Sequence, residues 1–167
     1  KEIAYDIVDK KDVSANESKS VNCIKNVNSK LIGYNTDHYG FTKMLTENQI
    51  SLKNKKILIL GYGGAAKTII CSLLKHYNCD IYIYGRNMNK IKNFIADFQN
   101  NYHNKIIKAY DKKMNTNFIL INCLSLKINS INARSLLSYL PISNVEMCID
   151  LNYIKSDMFV EINKHCT

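Results

Sequence analysis

A glycine-rich loop is the part of this sequence whose residue types and spacing best suit chemistry. The loop reads Gly61-Tyr62-Gly63-Gly64-Ala65-Ala66, follows an apolar run at residues 57–60, and precedes a stretch with helical spacing. Gly61 can take a tight turn, Gly63 lets a pyrophosphate approach the backbone, and Ala66 allows a helix to pack closely on a strand. The free amides of the following helix would bind the phosphates. We therefore predict a dinucleotide site, rather than an ordinary turn, with contacts from Gly61, Gly63, Gly64 and Ala65.

Two basic residues beyond the next strand pattern indicate which dinucleotide is bound. An NAD enzyme normally presents Asp or Glu to the ribose hydroxyls at this point, but the sequence reads Gly85-Arg86-Asn87. Arg86 can form paired hydrogen bonds with the 2′-phosphate of NADP, and Lys90, one helical turn later, adds a second positive charge. The sequence therefore favours NADP. The alternative is a solvated arginine at a helix start, which the helix dipole mildly disfavours.

The elements that must position these residues alternate between strand and helix from residue 56 onward. Periodicity predicts strands at 57–60, 81–84, 106–107, 118–121 and 147–151, and helices at 64–77, 87–99 and 133–140. This alternation implies a parallel sheet covered on both faces. We predict an α/β fold: a Rossmann-like NADP-binding domain, plus a remnant of an α/β substrate-binding domain at the N-terminus.

The first 55 residues follow a different pattern. We expect a helix over residues 3–8, a Ser/Asn-rich loop at 14–20, and a small hairpin whose strands lie near 21–24 and 30–32. A further helix is expected to begin after Asn35-Thr36-Asp37, with Thr36 or Asp37 capping its free amides. We place a domain junction at or near this helix.

Charge, cysteine spacing and apolar runs limit the kinds of molecule that we expect the protein to bind. The net charge is +9, but Lys and Arg are spread along the chain, which favours a solvated basic face suited to an anionic ligand over nucleic-acid binding. The six cysteines form no C-x-x-C pair, so we expect neither a metal site nor a disulfide framework. No apolar run is long enough to cross a bilayer and no leader is visible, so we expect no membrane partner and a cytoplasmic location.

The sequence resembles the shikimate dehydrogenase family over nearly its whole length. The motifs of that family occur in this sequence in the same order. The family's cofactor loop G-x-G-G-A-A matches without a change, and its N-R-T-x-x-[RK] clamp matches in part. Its catalytic-domain signature runs from Pro-x-Lys through A-V-N-T to G-x-N-T-D, and a weaker D-x-x-Y match follows. The matching residues are Lys1, Ser20-Val21-Asn22-Cys23, Gly33-Tyr34-Asn35-Thr36-Asp37, Gly61 to Ala66, Gly85 to Lys90, and Asp150 with Tyr153.

The resemblance implies reversible, NADPH-dependent reduction of 3-dehydroshikimate to shikimate. By this resemblance Lys1 would donate the proton during reduction, and Asp37 would orient Lys1 and hydrogen-bond the substrate. Asn22 and Tyr153 would hold substrate hydroxyl or carboxylate groups. Residues 1–37 would then belong to a substrate-binding, catalytic domain and residues 38–167 to the NADP-binding domain. Without the resemblance, the residue types alone would indicate a solvated lysine at Lys1, a turn or strand-edge residue at Asn22, and a core aromatic with its hydroxyl at the surface at Tyr153.

Departures from the family pattern leave alternatives open. Gly85 and Asn87 replace the clamp's Asn and Thr, and Leu124 and Lys127 stand where Thr and Gly are expected in a later N-A-T-x-x-G-M segment. The resemblance also implies that a serine pair before Lys1 and C-terminal helices with a substrate-binding glutamine lie outside this sequence. We therefore expect either a fragment of a longer enzyme or a non-catalytic NADP-binding relative, and quinate remains an alternative substrate. The oligomeric state is not predicted.

Overall fold

The computed structural model describes residues 1–99, 102, 104–111, 115–125 and 130–164. The helices are α1 (Glu2–Ile7), α2 (Val13–Ser18), α3 (Asp37–Glu47), α4 (Gly64–His76), α5 (Met88–Gln99), α6 (Ser130–Leu137) and α7 (Asp157–Asn163), with a 3-10 turn at Ile142–Asn144. The strands are β1 (Lys10–Lys11), β2 (Cys23–Val27), β3 (Lys30–Tyr34), β4 (Lys56–Leu60), β5 (Asp80–Tyr84), β6 (Ile107–Ala109), β7 (Phe118–Asn122) and β8 (Val145–Asp150).

The chain divides into two compact units, and each is assembled from two stretches of sequence. Unit 1 comprises Lys1–Lys53 and Gly63–Asn78, and unit 2 comprises Asn54–Tyr62 and Cys79–Thr167. The chain therefore passes from one unit to the other three times, once within the glycine-rich loop. The boundary that we predict after residue 37 separates functional domains rather than packing units, and it stays a prediction.

Unit 2 is built on a five-stranded sheet in the order β6-β5-β4-β7-β8, and every neighbouring pair is parallel. This order matches the first five strands of a Rossmann fold. The central strand β4 reads Lys-Ile-Leu-Ile-Leu, and its four apolar side chains are fully buried. A continuous apolar run of this kind is typical of a parallel strand covered on both faces. The predicted α/β fold with a parallel sheet is confirmed.

Unit 1 contains a three-stranded sheet in the order β1-β3-β2. Strands β2 and β3 form the predicted hairpin, with Cys23 opposite Tyr34 and Val27 opposite Lys30. Asn28 and Ser29 form its turn, and both have positive φ angles, of 49° and 61°. Two successive positive φ values give a turn whose twist matches that of the strands. The hairpin therefore brings the residue before β2 close to the residues after β3.

The expectation of a loop at residues 14–20 is wrong, because this segment contains α2. The carboxylate of Asp12 accepts a hydrogen bond from the amide of Ala15 at 2.9 Å, and Lys19 ends the helix in a left-handed conformation with φ 46°. The sequence lacks apolar residues at helical spacing here, so the helix is specified by its caps. Helix α7 and strand β1 were also not predicted; the Ser156 side chain caps α7 at the amide of Phe159.

Candidate functional site

Three residues that are distant in the sequence meet in unit 1: Lys1, Asn22 and Asp37, hereafter the Lys1 cluster. The ammonium group of Lys1 donates a hydrogen bond to Oδ2 of Asp37 and forms an ion pair with it. The amide nitrogen of Asn22 donates to the other carboxylate oxygen, Oδ1, at 2.6 Å. Both oxygens of Asp37 therefore accept a hydrogen bond. The Lys1 and Asp37 side chains remain 35% and 22% exposed, so a solute can reach them.

The β2–β3 hairpin places Asn22 beside Asp37. Asn22 lies just before β2 and Thr36 lies two residues after β3, and the backbone amide of Asn22 donates to the carbonyl of Tyr34 at 3.0 Å. The side-chain oxygen of Asn22 accepts a hydrogen bond from the amide of Thr36 at 3.0 Å. The expected capping role of Thr36 or Asp37 is wrong: Thr36 makes no side-chain cap bond, and the carboxylate of Asp37 is bonded to Lys1 and Asn22.

Asn35 supports the cluster and was not among the predicted site residues. Its side chain is buried, and its oxygen accepts a hydrogen bond from the amide of Asp37 at 3.1 Å. Its amide nitrogen lies within hydrogen-bond distance of Thr68 Oγ1 on α4, at 2.8 Å, and of Ser18 Oγ, at 3.0 Å. Asn35 thus fixes the start of α3 against α4. Its position in the G-x-N-T-D motif is the only signal in the sequence that could have identified it.

Lys1 also lies against the first residue of α4. A Cβ atom on Gly64 would come within 3.2 Å of the Lys1 Cβ and 2.9 Å of the Ser20 hydroxyl oxygen. Such distances are too short for ordinary contact, so a glycine at position 64 is what lets the lysine stem lie there. The Ser20 side chain is fully buried, and its hydroxyl has no hydrogen-bond partner among the described residues.

The neighbouring histidine affects the charge near Asp37. His38 follows Asp37 in α3, and its ring lies 5.1 Å from that of His76 on α4. Burial lowers the pKa of His38 below its ordinary value, and His76 and Lys75 lower it further, while Glu17 opposes the shift. A lowered pKa favours the neutral imidazole of His38, and Lys1 is the residue positioned to balance the charge of Asp37.

The chemistry available to the Lys1 cluster is proton transfer. A lysine ammonium group carries three donors, and here one is held by a carboxylate while the side chain stays partly open to solvent. The Asp37 carboxylate accepts one hydrogen bond from Asn22 and one from Lys1, so it is held in place and fixes the direction of the ammonium group. This is the geometry expected of an oriented general acid. The cluster can therefore donate a proton to an oxygen atom and recover it in the reverse direction.

Two glycines of the glycine-rich loop lie where a side chain would be strained or where the backbone must stay accessible. Gly61 has φ +103°, in the region that favours glycine, and its amide donates to the carbonyl of Tyr84 at 2.8 Å. Gly63 is exposed, and a Cβ atom there would meet nothing within 4 Å. Ala65 is half-buried, and the side chain of Ala66 is fully buried. The backbone at Gly63 therefore presents an open face to solvent at the start of α4.

In unit 2, Arg86 and Lys90 lie at the beginning of α5, and we call this pair the clamp. Both side chains are exposed and bond to no residue that the structure describes. Asn87, which replaces the family's Thr, accepts a hydrogen bond from the Lys90 amide at 3.0 Å and so caps the helix. The substitution at residue 87 thus keeps a local hydrogen-bonding role. The two positive charges remain available for an anion.

Two other residues singled out in the sequence have clear positions in unit 2. Tyr153 is 96% exposed, so its interpretation as a core aromatic is wrong. Its assignment as a substrate-binding residue stays a prediction. The side chain of Leu124 reaches the glycine-rich loop, since a Cβ atom on Gly61 would lie 3.2 Å from its Cδ2. Lys127, the other departure in that segment, lies outside the described residues.

Metal ligands and membrane-spanning helices are two further features that bear on function. Within the described ranges, no three His, Cys, Asp or Glu side chains converge in the way that a metal ion requires. In the same ranges, none of the helices combines the length and the apolar character that crossing a membrane demands.

Comparison with known proteins agrees with the geometry. A family model described as shikimate / quinate 5-dehydrogenase matches residues 43–153. A shikimate dehydrogenase (NADP(+)) of Methanococcus maripaludis is 35% identical over 158 residues, which cover 92% of this chain and 51% of the relative. The enzyme of the same name from Buchnera aphidicola is 32% identical over 171 residues, covering 99% of this chain and 59% of the relative. This chain thus spans about half the length of these relatives.

Solved structures show the same fold. Shikimate 5-dehydrogenase from Thermus thermophilus, determined in complex with NADP(H) and shikimate, superimposes with a TM-score of 0.76 at 21% sequence identity. The match covers 99% of this chain and 60% of that one. At this level of identity the likeness supports the α/β architecture.

Proposed function

Because the chain belongs to the shikimate / quinate 5-dehydrogenase family, we propose that the protein carrying it is an NADP-dependent oxidoreductase that interconverts 3-dehydroshikimate and shikimate. Relatives of this chain carry the name shikimate dehydrogenase (NADP(+)). The observation that carries the proposal is the Lys1 cluster. Its ammonium, carboxylate and amide groups meet by hydrogen bonds across 36 positions of sequence, as a general acid and its orienting partners would.

The residues present suit an NADP molecule. The open backbone at Gly63 leaves room for a phosphate beside the free amides of Gly64 and Ala65 at the start of α4. The exposed guanidinium of Arg86 can bind a 2′-phosphate through paired hydrogen bonds, and Lys90 adds charge one turn along α5. When bound, the reduced cofactor supplies a hydride to the ketone carbon of the substrate.

The chain's own residues supply the remaining parts of the reaction. Lys1 donates a proton to the carbonyl oxygen as negative charge develops on it, and removes the proton in the oxidative direction. Asp37 orients the Lys1 ammonium group and balances its charge. Asn22 holds Asp37 from the other side and contributes a hydrogen bond to a substrate hydroxyl, and Tyr153 provides a further hydroxyl contact.

We assign residues 1–37 to a substrate-binding, catalytic domain and residues 38–167 to the NADP-binding domain. The physiological partner in this proposal is the small-molecule substrate, with quinate as the alternative to shikimate because the matching family covers both. A cytoplasmic location is proposed with it: Cys23, Cys71 and Cys79 are thiols in the part of the chain that the structure describes, as a reducing compartment favours.

A second candidate function is favoured by Leu124. At position 124 the family pattern has Thr, which is smaller and polar. The Leu124 side chain found here lies against Gly61. A bulkier apolar group beside the cofactor loop would affect the seating of the nicotinamide while leaving the adenosine half unaffected. This second candidate is a relative that binds NADP without catalysing the reaction.

Replacement of Lys1 by methionine tests the proposed activity. Lys1→Met keeps an unbranched apolar stem of nearly the same shape against Gly64 and removes the ammonium group. In the full-length protein, we expect shikimate-dependent NADP reduction to fall by about 10²- to 10⁴-fold, the scale of general acid–base catalysis, with little change in NADP affinity. The matched control is Lys10→Ala, which removes an exposed lysine from β1 and should leave turnover unchanged.

Two results would count against the proposal. Undiminished turnover in Lys1→Met would remove Lys1 as the proton donor. A folded, unmutated protein that binds NADP but turns over neither shikimate nor quinate would favour the second candidate.

A further inference from the structure

Gly85 has no room for a side chain, because the ring of Tyr62 occupies the space. A Cβ atom on Gly85 would lie 2.7 Å from Cε1 and 2.9 Å from Cδ1 of Tyr62. Carbon atoms at such distances overlap, since the optimal separation of two carbons is about 3.5–4.0 Å. The residue before Arg86 is therefore matched to the aromatic residue of the glycine-rich loop.

Several contacts within unit 2 fix the Tyr62 ring at this place. Its ring meets that of Phe94 on α5 edge-to-face, with centroids 6.4 Å apart. The adjacent Gly61 amide donates to the carbonyl of Tyr84, which joins the loop to the end of β5. Tyr62 is half-buried, so part of the residue stays accessible to a ligand. Its orientation is therefore set before any ligand binds.

The end of β5 is where a Rossmann fold reads the ribose of the adenosine half of its cofactor. Arg86, which lies just beyond this strand, is exposed and bonds to no described residue. Gly85 has no side chain to line this part of the site. The ring of Tyr62, from the glycine-rich loop, occupies the space instead. Aromatic rings form good surfaces for purine bases.

We propose that Tyr62 is a specificity-determining residue, which forms with Arg86 the wall of the site for the 2′-phosphoadenosine half of NADP, in place of a side chain at residue 85. The inference rests on the proposed function and adds a residue to it. It also accounts for the departure at Gly85: the ring of Tyr62 in this position requires a glycine at residue 85, and it fills the space that the glycine leaves.

A double-mutant cycle on the full-length protein tests the proposal. The variants are Tyr62→Ala, Gly85→Asn and the two combined, and the probe is 2′,5′-ADP, titrated by calorimetry, with 5′-AMP for comparison. We expect each single variant to lose about tenfold or more in affinity for 2′,5′-ADP, the scale of one lost aromatic contact. The combined variant should recover to within about threefold of the unmutated protein, because the introduced asparagine side chain then occupies the space vacated by the ring.

Controls separate the specific effect from general damage. Gly40→Asn makes the same exchange on α3, where a Cβ atom would meet nothing within 4 Å, and should leave 2′,5′-ADP affinity unchanged. Tyr62→Phe keeps the ring and should retain most of the affinity. Thermal unfolding of each variant shows whether it folds; if Gly85→Asn does not, the Tyr62→Ala and combined variants still carry the test.

The outcomes distinguish this inference from the proposed function. If the unmutated protein binds 2′,5′-ADP and Tyr62→Ala binds it equally well, or the losses of the two single variants simply add, the inference is overturned and the NADP assignment stands. If the unmutated protein binds neither 2′,5′-ADP nor NADP, the proposed function fails and the role of Tyr62 fails with it.

Discussion

The Lys1 cluster of unit 1 and the Arg86–Lys90 clamp of unit 2 both carry positive charge, but they hold it in different ways. In the cluster, the ammonium group donates to Asp37, which also accepts from Asn22. In the clamp, both cations are exposed and bond to no described residue. A paired and oriented charge suits a group that must act on a reacting atom at a fixed place. An unpaired, solvated charge suits a group whose partner arrives with the ligand.

The difference predicts that changes to the cluster act on turnover, whereas changes to the clamp act on cofactor affinity. It also separates two adjacent glycines. Gly64 lies against the lysine stem, so a side chain there would disturb the cluster as well as the proposed phosphate contact, while Gly63 faces open space and belongs with cofactor binding alone.

Among changes that leave the reacting groups themselves in place, the largest effect is expected from Gly64→Ala. The added methyl group would displace Lys1 and Ser20, and a misplacement of about 1 Å in a catalytic group can cost about 100-fold in rate. We expect kcat for shikimate oxidation to fall by that order, with a lower unfolding temperature from overpacking. Steady-state kinetics and thermal unfolding would measure both.

Gly63→Ala is the matched control for that prediction. It has free space in the structure, so its unfolding temperature should not change, and its loss should appear as a raised KM for NADP. The combined Gly64→Ala/Ser20→Ala variant removes one of the two close contacts and should regain part of the turnover. An equal fall in kcat for Gly63→Ala and Gly64→Ala would contradict the assignment of the two glycines to different roles.

A smaller effect is expected when the clamp loses its guanidinium group. Arg86→Ala should reduce the preference for NADP over NAD by about 1–3 kcal/mol, the scale of a charge-assisted hydrogen-bonded contact, with kcat at saturating cofactor little changed. Binding of both dinucleotides, measured by fluorescence titration, would show it. Lys92→Ala, an exposed residue on the same helix, controls for the loss of one charge. Equal binding of NADP and NAD by the unmutated protein would refute this role of Arg86.

The smallest effect concerns stability near the cluster. The Ser20 hydroxyl is buried without a partner among the described residues, and a buried polar group in that state destabilises the fold. Ser20→Ala should therefore raise the free energy of unfolding by about 1 kcal/mol. Ser18→Ala is the control, because the Ser18 hydroxyl donates to the Ser14 carbonyl at 2.9 Å and its loss should destabilise the protein. A destabilised Ser20→Ala variant would show that the hydroxyl has a bonded partner.

The sequence predicts most of the fold because apolar runs and helical spacing, which indicate strands and helices, are local features of the chain. Strand β4 is an uninterrupted apolar run, and α5 buries Ile91, Phe94, Ile95 and Phe98 at helical spacing. Helix α2 was missed because its side-chain and backbone caps, rather than an apolar stripe, define it. The short β1 was missed because its two lysines carry no strand pattern, and it forms only by pairing with β3.

The candidate site was predictable only in part. The motifs identified Lys1, Asn22 and Asp37, and the structure brings these three together. The roles of Asn35 and Tyr62 could not be read from the sequence, since they depend on contacts between segments far apart in the chain. Asn35 meets Thr68 across 33 positions, and Tyr62 lies against Gly85 at the end of the next strand. Periodicity carries no information about such pairs.

The assembly of unit 1 from two separate stretches constrains how genes of this family can recombine. Helix α4 is joined to the first stretch by ion pairs of Lys67 with Glu2 and of Lys75 with Glu17, besides the Asn35–Thr68 bond. A crossover that exchanged only residues 1–53 with a diverged homologue would separate these partners. Viable chimaeras should therefore inherit residues 1–53 and 63–78 from one parent, while residues 54–62, which include β4, should come from the same parent as residues 79–167.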